Sequence, residues 1–302
     1  MATLTFNLES QAIVKKVYRA FFGPAKYEVK STDEAILERG NNYRVQLGGG
    51  ELAVSSWGSG SPAVLLMHGW GGSRAQMTGF VDPLLAAGYR VVAFDQPAHG
   101  ESDGKTTNIL EITPALEKVA EREGNFDAIL AHSFGALVTS YALVNKKVPP
   151  PARLVYFGAF NRLLDSLPRF QVQAQLSDEI IEGLRTMLYE NFGKDVLDSI
   201  NNEMLVQQIN IPALMFHDTA DNVTPIEDSR AIAQAWKSAQ LVETEGLGHR
   251  GALQSEKIHD QVVAFMQSAA KHAKVATPAL AGGAREKKHN PESFFKIICV
   301  MV

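Results

Sequence analysis

The sequence predicts an α/β protein whose core is a mostly parallel sheet of about eight strands with helices on both faces. Three features carry that prediction. Six short apolar runs are near-continuous rather than alternating, as strands covered on both faces are. Segments of helical apolar spacing separate them, as parallel crossovers require. Two loosely alternating runs on either side of Gly48-Gly-Gly50 precede them and read as an opening β-hairpin.

In chain order, residues 11–22 place Ile13, Val14, Val17, Phe21 and Phe22 at helical spacing, with Lys15, Lys16 and Arg19 on the other side. Such a helix either packs on the domain or lies on a membrane surface. The hairpin strands are expected at 43–47 and 52–57, and the six buried strands near 63–67, 91–94, 128–131, 154–157, 213–216 and 240–243. Helices are expected at 80–87, 116–122, 136–144, 229–236 and 258–273.

The stretch 160–210 is longer than one crossover helix needs. Within it Ser177 reads as an N-cap, with Asp178 and Glu179 in the first turn and Ile180, Ile181, Leu184, Met187 and Leu188 following at helical spacing. Ligands of open α/β sheets bind beyond the carboxyl ends of the strands, so a helical insertion there would roof a partly apolar site. The chain therefore divides into an N-terminal helical extension (1–42), an α/β domain (43–275) carrying the insertion at about 160–210, and a tail of different character (276–302), expected to be loosely ordered. Cys299, fourth from the end, superficially matches a prenylation box, but Val302 is not its usual last residue.

The chemistry centres on Ser133. It lies in Ala128-Ile-Leu-Ala-His-Ser-Phe-Gly-Ala136, an apolar strand that turns at the serine into small residues. That is the form of a nucleophile elbow, in which a strained turn projects the hydroxyl above the sheet. Gly135 has the small size such a turn needs, while Ala131 stands where the usual pattern has a glycine. Upstream, Ala63-Val-Leu-Leu-Met-His-Gly-Trp-Gly-Gly-Ser73 is a second apolar strand ending in a glycine-rich turn, able to offer a backbone N–H to an oxyanion. Downstream, a third strand ends in two carboxylates, Asp218 and Asp221, and a fourth is followed by Gly246-Leu-Gly-His-Arg250.

A free serine is a poor nucleophile, and it needs a base that is itself held by a carboxylate. His249, in its glycine-bounded loop, is the candidate base. Asp218 and Asp221 compete for the acid, with Asp165 a distant third.

Taken together, these four motifs, in the order Ser, Asp, His, resemble the α/β-hydrolase superfamily over roughly residues 43–266, specifically single-domain serine hydrolases with a short helical cap. The resemblance implies a triad of Ser133, Asp221 and His249. It favours Asp221 because Pro225 follows it at the family spacing, and leaves Asp218 to cap the turn or line the pocket. It further implies an oxyanion hole from the backbone N–H groups of Trp70 and Phe134, and polar residues around His68, Asp95 and His99 that hold turns; His132, as the neighbour of Ser133, is expected at the cavity. The activity so implied is cofactor-independent hydrolysis of a carboxylic ester through an acyl-enzyme. A thioester, amide or carbon–carbon bond hydrolase and a ligand receptor with little turnover are the alternatives. A serine at the elbow argues against the branches that use aspartate there.

Bulk properties set the outer limits. At 302 residues and 45% hydrophobic content, one sizeable domain with an insertion is expected. A net charge of −4 with no basic stripe interleaved with aromatics gives no basis for a nucleic-acid partner, and a small-molecule substrate is expected instead. One cysteine suits a reducing compartment, so a cytoplasmic location is expected. The first residues do not read as a signal peptide, and no apolar run approaches the roughly 18 residues of a membrane span, so stable membrane insertion is not expected. No phosphate loop or Gly-x-Gly-x-x-Gly is present, and His68, Asp95, His99 and His217 match no structural zinc spacing, so neither a nucleotide cofactor nor a metal is expected.

Overall fold

Along each central strand, successive side chains enter opposite layers of core. Leu65 and Met67 join one layer and Val64 and Leu66 the other; Ile129 and Ala131 are likewise opposed to Ala128 and Leu130. This two-residue period explains why those runs are apolar throughout, since both faces are covered. The computed structural model describes residues 8–268, and residues up to Gln267 form one compact unit.

The strands are β1 (Asn41–Leu47), β2 (Gly50–Trp57), β3 (Ala63–Met67), β4 (Arg90–Phe94), β5 (Ala128–His132), β6 (Arg153–Phe157), β7 (Ala213–Asp218) and β8 (Ala239–Thr244). They make one eight-stranded sheet in the order β1-β2-β4-β3-β5-β6-β7-β8. β1 and β2 pair antiparallel with each other, β2 pairs antiparallel with β4, and the remaining pairs are parallel. The chain leaves β3 to one side to form β4 and returns on the other side as β5. The crevice between the ends of β3 and β5 is therefore the topological switch point, where such sheets bind their ligands.

Every expected strand is present within two residues of its expected ends, and the helices differ more. The helix expected at 116–122 begins at Ile109, because Asn108 caps it by accepting from the Leu110 and Glu111 amides, and Pro114 is tolerated inside it. A proline there reads as a breaker in sequence, which hid the first turns. The helix expected at 80–87 is a 3₁₀ segment, Arg74–Phe80, leading into Val81–Ala86. Helix Ser31–Glu38 was not anticipated. The last helix is Glu256–Gln267; the rest of the expected 258–273, the tail and Cys299 lie outside the described residues.

The insertion after β6 is helical, with Ser166–Gln173, Asp178–Phe192 and Lys194–Ser199 as its main segments. Its stalk is closed where Arg162 bridges Asn201 and the Asn202 amide donates to the Asn161 carbonyl at 2.8 Å. Ser177 caps the long helix by accepting from the Ile180 amide. The N-terminal helix, Leu8–Phe21, packs along Asp178–Phe192, with Val14 buried. Among the described residues no helix is long and apolar enough to cross a membrane.

Candidate active site

Ser133 is the residue at which β5 becomes helix Phe134–Val144, and it holds φ 52° and ψ −119°. A non-glycine residue there costs on the order of 1–3 kcal/mol, so the surroundings must impose it. They do so through the Ser133 amide, which donates to the Phe157 carbonyl at 2.8 Å, and through close passage of the helix over β3. A Cβ on Gly135 would stand 2.5 Å from the His68 carbonyl oxygen and 3.0 Å from that of Met67. Only glycine permits this crossing. Ala131, by contrast, is fully buried without displacing the turn.

Two backbone donors flank the serine. Trp70 occupies the turn after β3 that the Gly72 amide closes on the Gly69 carbonyl, and Phe134 is the first residue of the elbow helix. Among the described residues neither the Trp70 nor the Phe134 N–H has an acceptor within the protein. The helix N-terminus adds its partial positive charge beside them.

His249 stands in a short helical turn, Gly248–Gly251, after β8. Its Nδ1–H donates to Asp221 Oδ2 at 2.7 Å. The Asp221 carboxylate is buried and also accepts from the amides of Val223 at 2.8 Å and Thr224 at 2.9 Å, while His217 Nε2 lies 3.3 Å from Oδ2. Burial alone would raise its carboxyl, but the hydrogen bonds from His217, His249 and Thr224 prevail and hold it far below the usual carboxylate range. His217 is itself fixed by Ser229 at 2.6 Å and by the Thr224 carbonyl at 2.9 Å.

His132 lines the same cavity as Ser133 and His249. Its Nε2–H donates to the His249 carbonyl at 2.9 Å, and the two rings lie 4.5 Å apart. Burial, reinforced by the neighbouring His249, lowers its pKa well below the ordinary value, so it is neutral and its Nδ1 has no partner.

Asp218 requires a correction, because it is absent from the cavity wall. Its buried carboxylate instead accepts from the Leu247 amide at 2.9 Å, Thr244 Oγ1 at 2.8 Å and the Ala220 amide at 3.0 Å, tying the Asp221 loop to the His249 loop. These bonds outweigh its desolvation and lower its pKa. Asp165 is likewise outside the wall, in the 3₁₀ turn Leu163–Asp165 of the cap.

The other polar residues hold turns. The Asp95 carboxylate accepts from the Arg74 amide at 2.6 Å and the Glu101 amide at 2.8 Å and is ion-paired with the Arg74 guanidinium. His68 Nε2 accepts from the Gln96 amide at 3.0 Å, so its Nδ1–H donates to the Gly69 carbonyl. Among the described residues, no three His, Cys, Asp or Glu side chains are grouped as metal ligands would be.

The cavity occupies about 880 Å³ and opens over Ser133 and His249. Sequence reasoning did not find several of its neighbours. Gly158, at the end of β6, backs the acid–base pair: a Cβ there would lie 3.3 Å from both Asp221 Oδ2 and His249 Nδ1. Phe21, Phe22, Phe170, Arg169 and Arg250 form parts of the wall. Only Phe21 and Phe22 had shown a signal, as the apolar face of the first helix.

Fold and site define the class. Residues 64–264 match the model of the alpha/beta hydrolase family, and the chain belongs to that family as one of its enzymes. Among curated proteins it is similar to the pimeloyl-[acyl-carrier protein] methyl ester esterase of Sodalis glossinidius, at 30% identity over 46% of this chain and 51% of that one. A second similarity, 28% over 40% of this chain and 33% of the other, is to the dihydrolipoyllysine-residue acetyltransferase component of the acetoin cleaving system of Cupriavidus necator. The chain thus spans about half the length of the first of these relatives and a third of the second. Among solved structures, an esterase from Exiguobacterium antarcticum superposes with a TM-score of 0.61 at 19% identity, covering 76% of this chain and 100% of the other. An esterase from Pyrococcus furiosus does so at 0.61 and 21%, covering 81% and 98%. At these identities the structural likenesses establish the fold.

Proposed function

We propose that the protein hydrolyses a carboxylic ester through an acyl-enzyme formed on Ser133. The observation that carries this reading is the chain of polarity from the buried Asp221 carboxylate through His249 to the cavity that Ser133 faces. With Nδ1–H committed to Asp221, His249 presents Nε2 as the unprotonated nitrogen, the form a general base needs. Ser133 Oγ attacks the ester carbonyl and gives its proton to His249 Nε2. The oxyanion takes hydrogen bonds from the Trp70 and Phe134 amides, each such donor being worth roughly 10² to 10³ in rate. Collapse expels the alcohol, which receives the proton from His249. Water, deprotonated by the same nitrogen, then releases the acid and restores the serine.

The curated relative that acts on a methyl ester supports ester chemistry over the other bonds a serine hydrolase can cleave. Steady-state release of p-nitrophenol from acetate, butyrate and octanoate esters, by the intact chain and by Ser133→Ala, tests the proposal. Sustained turnover abolished in the variant is expected. A single stoichiometric burst from the intact chain, or equal turnover by both proteins, would refute it.

A further inference from the structure

The first helix does more than rest on the domain. It ends at Phe21, and Phe21 and Phe22 both line the cavity over Ser133. Phe21 meets Phe170 of the cap edge-on at 5.3 Å, and Phe22 meets Phe192 at 5.7 Å and Tyr18 at 5.0 Å. The Phe22 carbonyl is pinned by the Thr107 amide at 2.9 Å, next to the cap of helix Ile109–Glu123. These two rings are thus held from three sides, by the cap, by their own helix and by the α/β core. They also precede residue 64, where the family match begins.

The same cavity is lined by Trp70, Phe134 and Phe160, each within 5.5–6.2 Å of the next. Among the described residues no carboxylate side chain lines the chamber. Arg169 is committed to the Val223 carbonyl at 3.0 Å and the Asp165 carbonyl at 3.2 Å, with Asp228 at 3.7 Å and its guanidinium 5.2 Å above the Phe160 ring. The cavity also carries Val172, 79% exposed, and Val223, 51% exposed. Exposed Arg250 also lines the cavity, while the aromatic rings with Val172 and Val223 make its wall mainly apolar. A volume of about 880 Å³ lies toward the upper end of the roughly 300–1,000 Å³ usual for small-molecule sites, far beyond what an acetyl group fills.

We infer that the ester carries a large apolar moiety, an extended alkyl or aryl group, and that Phe21 and Phe22 form the end wall that sets its length. This rests on the hydrolase reading of Ser133, and it makes the first helix a determinant of specificity. Each methylene drawn into such a chamber contributes roughly threefold to fourfold to kcat/KM until the wall is reached.

The test uses the full chain with two ester series, one lengthening the acid from acetate to dodecanoate on p-nitrophenol, the other lengthening the alcohol on acetate. In at least one series kcat/KM of the unaltered protein climbs with length and then falls. Phe21→Ala and Phe22→Ala move that optimum up by two or more carbons, whereas Phe22→Trp moves it down; a helix that merely braces the fold would not shift it in opposite directions. In parallel, calorimetric binding of decanoate to Ser133→Ala, with and without Phe22→Ala, reads the chamber without turnover, and the added Phe22→Ala is expected to change the affinity at least threefold. An optimum unmoved by all three variants, together with decanoate affinity unchanged by Phe22→Ala, overturns the inference. Absent turnover by the unaltered protein with decanoate binding that responds to Phe22→Ala would instead overturn the ester hydrolysis and leave the chamber standing.

Discussion

Gly158 and His249 are separated by less than a methyl group's room. A Cβ on Gly158 would lie 3.3 Å from His249 Nδ1 and from Asp221 Oδ2, tighter than most real contacts, and the residue holds φ +51°. Glycine at the end of β6 is what lets the acid–base pair sit against the sheet. Gly158→Ala is expected to cost about 1–2 kcal/mol of stability from the left-handed backbone. It should also lower kcat by about 10²-fold by displacing His249, with a smaller effect on KM. Urea unfolding and steady-state kinetics on the same preparation separate the two.

The three residues of the proposed triad should not contribute equally. Ser133→Ala and His249→Ala remove a group that forms or breaks a bond, and a loss of about 10⁶ in kcat is expected for each. Asp221→Asn keeps the shape but disfavours the tautomer His249 needs, and about 10⁴ is expected. The double variant Ser133→Ala/His249→Ala should be scarcely worse than either single one, because the pair acts as a unit. Additive losses would indicate that the two residues act separately.

Asp218 is expected to be structural in its energetics although it sits three residues from Asp221. Its three accepted hydrogen bonds hold both loops. Asp218→Ala leaves donors buried without acceptors and should cost about 3 kcal/mol, while Asp218→Asn, retaining one acceptor oxygen, should cost less. Thermal unfolding of the two variants orders them.

Stability should fall on the acid side of neutrality. Burial pushes His68 down to about 4 and His99 down to about 3. The unfolded chain takes up their protons below about pH 6.5 while the folded protein does not, so stability is full above that value and declines as pH falls toward those lowered values. Each withdraws about 2 kcal/mol between pH 8 and pH 5. Asp95, raised by its burial, acts in the opposite sense. The comparison with His99→Asn therefore isolates one histidine: the difference between urea unfolding at the two pH values should shrink by about 2 kcal/mol.

The sheet was legible because buried parallel strands leave continuous apolar runs, and Ser133 and His249 stood out as candidates because each ends or follows such a run. What sequence could not show is contact across elements. Asp218 and Asp221 look alike as carboxylates at or just after the end of β7. Which of them meets His249 depends on a loop whose amides at Val223 and Thr224 turn the Asp221 side chain inward. Helix 109–123 was half hidden by Pro114, and the cavity wall at Phe21 and Phe22 depends on packing more than a hundred residues away in sequence. An apolar helix face announces burial and leaves its partner unnamed.

The central claim is that Ser133 becomes covalently acylated. Intact-mass measurement after reaction with a fluorophosphonate ester, followed by peptide mapping, tests it most directly. One adduct per chain on Ser133, absent in Ser133→Ala and slowed by several orders of magnitude in His249→Ala, is the predicted result. An unmodified Ser133 in protein that still hydrolyses esters, or an equal adduct in Ser133→Ala, would contradict it.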